Sequence, residues 1–145
     1  MPLLVKDCMF KEVNTVDEEM TVTEAAKVMT SDKNFDGYVI ILKRGKPTGI
    51  VTERDVVNQV IAKARDPSMS TVSDVMSSPL ITIDPDADLL TASRVMHDHN
   101  VVKLVVVRNE IRYGILTERI IAHHFGDYVD RSIRDIIRWT TLMTS

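Results

Sequence analysis

The chain has one cysteine in 145 residues, a net charge of only −3 and no long apolar run, and each scarcity removes a class of protein. Cys8 alone can form neither an internal disulfide nor a thiolate metal cage, and an unpaired thiol fits a reducing cytoplasm better than an export compartment. The apolar runs are short, as at Leu104-Val105-Val106-Val107 with charge on both sides, and Met1 to Phe10 carries charges where a signal peptide needs an apolar core. The expectation is a cytoplasmic protein with no membrane partner. A weakly acidic balance is also a poor basis for binding nucleic acid, and no helix-turn-helix, aromatic platform or zinc finger offsets it. What remains is a globular chain whose length suits one ordinary domain, able to bury roughly 68–70% of its unfolded surface.

That single domain resolves into two copies of one unit. Val72-Ser73-Asp74-Val75-Met76 matches Val5-Lys6-Asp7-Cys8-Met9, Leu80–Asp84 matches Val13–Asp17, and Thr91–Met96 matches Glu24–Met29, all at a spacing of 67. The spacing falls to 66 where Leu104–Val107 meets Tyr38–Ile41, and to 65 where Gly114–Arg119 meets Gly49–Arg54. Two single-residue deletions account for this, one before the strand and one in the hairpin after it.

Each copy reads as βαββα. Thr21-Val22-Thr23-Glu24 has capping-box spacing and opens a helix with Val22, Ala25, Ala26 and Met29 on one face; Leu89, Ala92, Ser93 and Met96 repeat that face. Tyr38–Leu42 and Gly49–Val51 form a hairpin around Lys43–Pro47, and a second helix from Thr52 carries Val56, Val57, Val60 and Ile61, with Ile120, Ile121 and Phe125 in the second copy. The expected organisation is repeat one over 1–63, a connection over 64–71, repeat two over 72–126 and a C-terminal amphipathic helix over 127–145, striped by Val129, Ile133, Ile136 and Ile137 with Trp139 following. A unit of about 65 residues has a thin core. The two sheets should therefore pack with pseudo-two-fold symmetry and leave two related clefts between them.

Taken in order and given twice, Val-x-Asp-x-Met (with Cys8 within the first copy), the Thr-Val/Thr-Ile strand, the capped helix, the Val/Ile-rich strand and Gly-Ile-x-Thr-Glu-Arg resemble a tandem pair of CBS domains, a Bateman module, from Val5 to Phe125. The resemblance implies an α/β (α+β) fold of two packed CBS repeats plus a C-terminal helix. It also implies a regulatory module that binds an adenosine-containing ligand between repeats, pairs as a homodimer and signals to an effector protein.

In that family ribose and phosphate are held by Gly-h-x-Thr/Ser-x-x-Asp, here Gly49-Ile50-Val51-Thr52-Glu53-Arg54-Asp55. Gly49 lets the backbone run close to its surroundings, Thr52 offers a hydroxyl at a helix start whose dipole suits phosphate, and Asp55 can accept charge-assisted hydrogen bonds from ribose. The plain alternative makes Thr52 an N-cap and Asp55 a first-turn acid; local sequence leaves the two level. Repeat two keeps Gly114, Thr117, Glu118 and Arg119 but has Ile120 in place of Asp55, which favours a ligand role for the carboxylate.

By the same resemblance the Asp55 site is completed by Pro79, Leu80 and Ile81, then Val101 and Lys103, with Lys103 either a phosphate cation or an exposed strand-end charge. The second cleft would be built from Val13, Asn14, Phe35, Gly37, Gly114, Ile115, Thr117 and Ile120. With Gly37 in place of the lysine it is expected to be empty, weak or specific for another ligand. No cofactor is required; AMP or ADP ranks ahead of ATP and S-adenosylmethionine as regulatory ligand. A ligand-independent dimerisation scaffold with degenerate clefts is the alternative. The sequence has no paired carboxylates, activated nucleophile or metal constellation, so an enzyme is not expected. His97, His99, His123 and His124 read as surface residues near helix ends, and Cys8 as a small packed residue.

Overall fold

The computed structural model describes residues 3–31, 37–126 and 136–138. Elements run α1 (Val5–Cys8), β1 (Thr15–Asp17), α2 (Val22–Ser31), β2 (Tyr38–Lys43), β3 (Lys46–Thr52) and α3 (Glu53–Val56), which continues as a π turn over Val57–Ile61. The second copy follows as α4 (Val72–Val75), β4 (Thr82–Ile83), α5 (Leu89–His99), β5 (Lys103–Arg108), β6 (Ile111–Thr117) and a helix α6 over 118–126. Each copy forms a three-stranded sheet, ordered β1-β2-β3 and β4-β5-β6, with one parallel and one antiparallel pairing. The expected α/β architecture of two packed repeats holds, with one addition: a helical turn precedes the βαββα unit in both copies.

Those added turns are exchanged. Val5 and Cys8 of α1 are buried with Leu89, Ala92, Leu104 and Leu116 of the second copy, while Val72 and Val75 of α4 are buried with Val16, Val22, Ala25 and Val51 of the first. Val5 and Lys6 donate backbone hydrogen bonds to Ala87 and Pro85, and Val72 donates to Met20. Lys6 pairs with Asp86 at 3.1 Å, and Arg108 pairs with Asp84 at 2.9 Å and also with Asp86. Arg108 holds the Asp84 carboxyl below the ordinary carboxylate range, and Lys6, then Arg108, does the same for Asp86. The exchange gives each thin unit a lid drawn from the other, so neither copy's core closes without its partner.

The strands are apolar on both faces because both faces are covered. Val39, Ile41 and Val51 pack towards the helices of their own copy, as Leu104, Val106 and Leu116 do in the second. Tyr38, Ile40, Val105 and Ile115 meet between the sheets, joined by Val13, Leu42, Ile50, Leu80 and Val107. Both hairpin turns have positive φ at two central residues, Arg44-Gly45 and Asn109-Glu110, the conformation that matches strand twist. Lys46 and Glu110 at the two tips form an ion pair at 2.9 Å.

Strand register corrects the spacing read from sequence. Tyr38 pairs with Thr52 and Ile41 with Gly49; Lys103 pairs with Thr117 and Val106 with Gly114. Lys103 therefore stands where Tyr38 stands, 65 residues apart, and the hairpin has no length change. The whole shortening lies between the first helix of the copy and its second strand. Both runs are continuously apolar, so a slip of one residue costs no sequence similarity, yet it exchanges the two faces of the strand.

Helix faces follow the sequence with exceptions. Thr21 and Glu24 form the expected capping box, Glu24 N donating to Thr21 Oγ1 at 3.2 Å and Thr21 N to Glu24 Oε2 at 3.4 Å. Ser93 and Phe125 are exposed rather than packed, and so are Val57 and Ile61, at 52% and 68%. The last two follow from the π turn, where Ala62 N bonds to Val57 O and leaves only Val60 of that stretch buried. Of the expected tail helix, Val129, Ile133 and Trp139 lie outside the described residues; 136–138 is helical and Ile136 and Ile137 are exposed.

Candidate functional site

Thr52 ends β3 and caps α3. Its Oγ1 accepts from Asp55 N at 3.3 Å, and the Asp55 carboxylate answers: Oδ2 accepts from Thr52 N at 2.9 Å and from Thr52 Oγ1 at 3.2 Å. The other oxygen, Oδ1, accepts from Ser77 Oγ at 2.8 Å. Asp55 is thus the N3 partner of Thr52 in a capping box, a more specific structural role than the first-turn acid of the plain reading. Thr117 caps α6 in the same way, accepting from Ile120 N at 3.1 Å, but there Ile120 is buried in the core of the second copy.

These helix starts open onto one cavity of about 790 Å³ between the copies. Ile50, Thr52 and Asp55 line it from the first copy and Val101 and Lys103 from the second, so five of the expected ligand residues share one space. Thr117, expected in a separate cleft, lines the same cavity. Sequence reasoning missed Glu53, Arg54, Asn58, Ser77, His99, Asn100, Val102, Glu118 and Arg119, which also line it. The doubled Thr-Glu-Arg was the available signal for four of these. The lining carries Arg54, Lys103 and Arg119 alongside Glu53, Asp55 and Glu118, three charges of each sign. His99 Nδ1 lies 2.9 Å from Val95 O, so this nitrogen carries the proton and Nε2 remains for other contacts.

Four expected contacts are placed elsewhere. Pro79 and Leu80 line a different recess with Lys46, Pro47, Thr48, Thr82, Val107 and Glu110, and Ile81 packs against the core of the second copy. Gly49 is buried beneath the exchanged segment, where an added Cβ would lie 2.5 Å from Met76 Sδ and 3.0 Å from Ser77 O. The close approach expected at Gly49 is real, but the chain itself makes it.

The described residues of the second cleft are largely packed. Tyr38, not Gly37, occupies the position equivalent to Lys103, and its ring is fully buried between the sheets. Asn14 N donates to the Tyr38 hydroxyl and Asn14 Nδ2 to Tyr38 O, both at 3.4 Å, while Ile115 is fully buried and Val13 packs beside it. Gly37 has φ +64° and sits under Glu53, whose N–H bonds to Gly37 O at 3.0 Å. Gly114 lies beneath Phe10, and Phe35 is outside the described residues. Burial, then Asp7, pushes the Cys8 thiol up, which suits a packed residue. No group of three metal-binding side chains occurs among the described residues, nor does any helix there have the length and apolarity to cross a membrane.

Two exchanged copies around a shared cavity invite comparison with known proteins, and the CBS domain family model matches residues 5–62 and again 72–127. The chain belongs to the CBS domain family. CBS pairs are regulatory, ligand-binding modules. This CBS pair is 33% identical over 112 residues to the CBS domain-containing protein YhcV of Bacillus subtilis, covering 77% of this chain and 78% of that one. It is 34% identical over 125 residues to a homoserine O-acetyltransferase of Methanohalophilus mahii, covering 86% of this chain but only 25% of that enzyme. Among solved structures it is similar to the CBS domain pair of protein MJ0100, crystallised with 5′-methylthioadenosine and S-adenosyl-L-methionine. That likeness has 26% identity and a TM-score of 0.79, and covers 88% of this chain and 99% of that one.

Proposed function

We propose that this CBS pair is a regulatory sensor that binds an adenosine-containing ligand in the cavity around Asp55, with the ribose on the Asp55 carboxylate and phosphate towards Lys103. The observation that carries the reading is that Asp55 and Lys103, from opposite copies, line one cavity beside the capped helix start at Thr52. The two ligands of the MJ0100 pair share an adenosine, which supports that moiety as the common recognition element. AMP and ADP are favoured over ATP, because a lining of three cations and three carboxylates suits one or two phosphates better than a large polyanion, and over S-adenosylmethionine, because Lys103 offers a cation that its sulfonium group cannot use. The side filled by Tyr38 and Ile120 leaves one ligand per chain.

Thermal shift tests this directly. A ligand at 100 times its Kd adds about 2.7 kcal/mol, a rise of roughly 5–10 °C for a chain of this size. Asp55→Asn keeps an oxygen for the Thr52 N–H while removing the charge, so the unliganded Tm should change little and the ligand-induced rise should shrink. A set of AMP, ADP, ATP and S-adenosylmethionine that leaves the Tm unmoved would sink the sensor reading.

The exposed Val57 and Ile61, four residues apart on one helical face, support a homodimer in which these side chains are covered. Sedimentation at micromolar concentration should give twice the chain mass, and Ile61→Glu should give the monomer. A wild-type monomer contradicts the pairing. The signal would pass from this assembly to an effector protein in the cytoplasm.

A further inference from the structure

Ionised Asp55 has about four lone-pair positions, and three are already used. Thr52 N and Thr52 Oγ1 fill Oδ2, and Ser77 Oγ takes one place on Oδ1. A ribose that donates both of its vicinal hydroxyls to Asp55 needs two places and finds one. Thr52 N is held in the capping box and Thr52 Oγ1 is fixed beside the carboxylate by the bond it accepts from Asp55 N, whereas the exposed Ser77 hydroxyl can turn to water, so Ser77 is the group that gives way.

Ser77 is not needed to hold its own segment. It pairs with Ile50 through two backbone bonds, Ser77 N to Ile50 O at 2.9 Å and Ile50 N to Ser77 O at 3.3 Å. In the other copy Phe10 occupies the equivalent position and forms the same backbone bridge to Ile115, with both bonds at 2.9 Å. There Asp55 is replaced by Ile120. The hydroxyl and the carboxylate thus occur together in one copy and are both absent from the other, which ties the Ser77 side chain to Asp55 rather than to the fold.

We propose that Ser77 is a specificity-determining residue that competes with the ligand's ribose for Asp55, so that a vicinal diol releases Ser77 while a ribose with one hydroxyl does not. The proposal rests on the ribose reading of Asp55.

Titrating the full chain with AMP and with 2′-deoxy-AMP, in wild type and Ser77→Ala, separates the possibilities. Removing the competitor should tighten AMP by roughly ten- to a hundredfold, the scale of one hydrogen bond to a charged acceptor, and leave 2′-deoxy-AMP within about twofold. Circular dichroism should show an unchanged fold, as the Phe10 bridge implies. Weaker AMP binding by Ser77→Ala, or an equal change for both nucleotides, overturns the proposal. If neither nucleotide binds either protein, or if Asp55→Asn binds AMP as well as wild type, the ribose reading has failed and this inference falls with it.

Discussion

Tyr38→Ala should destabilise the chain by about 3–5 kcal/mol, the range for truncating a fully buried aromatic ring. On a chain of this size that lowers Tm by roughly 6–20 °C. Tyr38 is 1% exposed and packs with Ile40, Val105 and Ile115 where the two sheets meet. The equivalent residue of the second copy is Lys103, half-buried at the cavity edge. Lys103→Ala should therefore change stability by no more than about 0.5 kcal/mol, as for substitutions away from the core, while weakening binding of a phosphorylated ligand. Chemical denaturation of both variants checks the contrast. Similar losses for the two would contradict the assignment of one position to the core and its copy to the site.

Gly114→Ala should cost about 2–3 kcal/mol, at the upper part of the range for overpacking. The added Cβ would stand 2.3 Å from the Phe10 carbonyl oxygen, which accepts from Ile115 N while Phe10 N donates to Ile115 O. Relief requires lifting the exchanged segment off the sheet. Gly49→Ala meets the flexible end of Met76 at 2.5 Å first and backbone only at 3.0 Å, so about 1 kcal/mol is expected there. Urea midpoints should rank wild type above Gly49→Ala above Gly114→Ala. Equal midpoints for the two variants would mean that the exchanged segments do not bear on the sheets as described.

The repeat, the hairpins and the capped helices were legible because their signals are local: a Thr and Glu three apart, turn residues between apolar runs, and the same order given twice. The exchange was not, since Val5 and Val72 carry no mark of which copy they will pack against. Register failed for a related reason. Tyr38–Ile41 and Leu104–Val107 are both apolar throughout, and only the backbone pairing of Lys103 with Thr117 fixes which residue faces the other sheet.

The same limit divided the site. Thr52 and Asp55 could be found from the motif, and Lys103 from what the family resemblance implies. Ser77 and His99 reach the cavity only because the exchanged segment and the end of α5 are brought to it. Gly49 shows the converse: its need for a close neighbour was readable, but not that the neighbour is Met76 and Ser77.

Calorimetric titration of AMP into the wild-type chain and Asp55→Asn measures affinity and stoichiometry together. The expected result is one AMP per chain, with affinity reduced at least tenfold in Asp55→Asn, the least that losing charge-assisted bonds implies. Two molecules per chain, or equal affinity in the variant, would contradict a single ligand site built on Asp55.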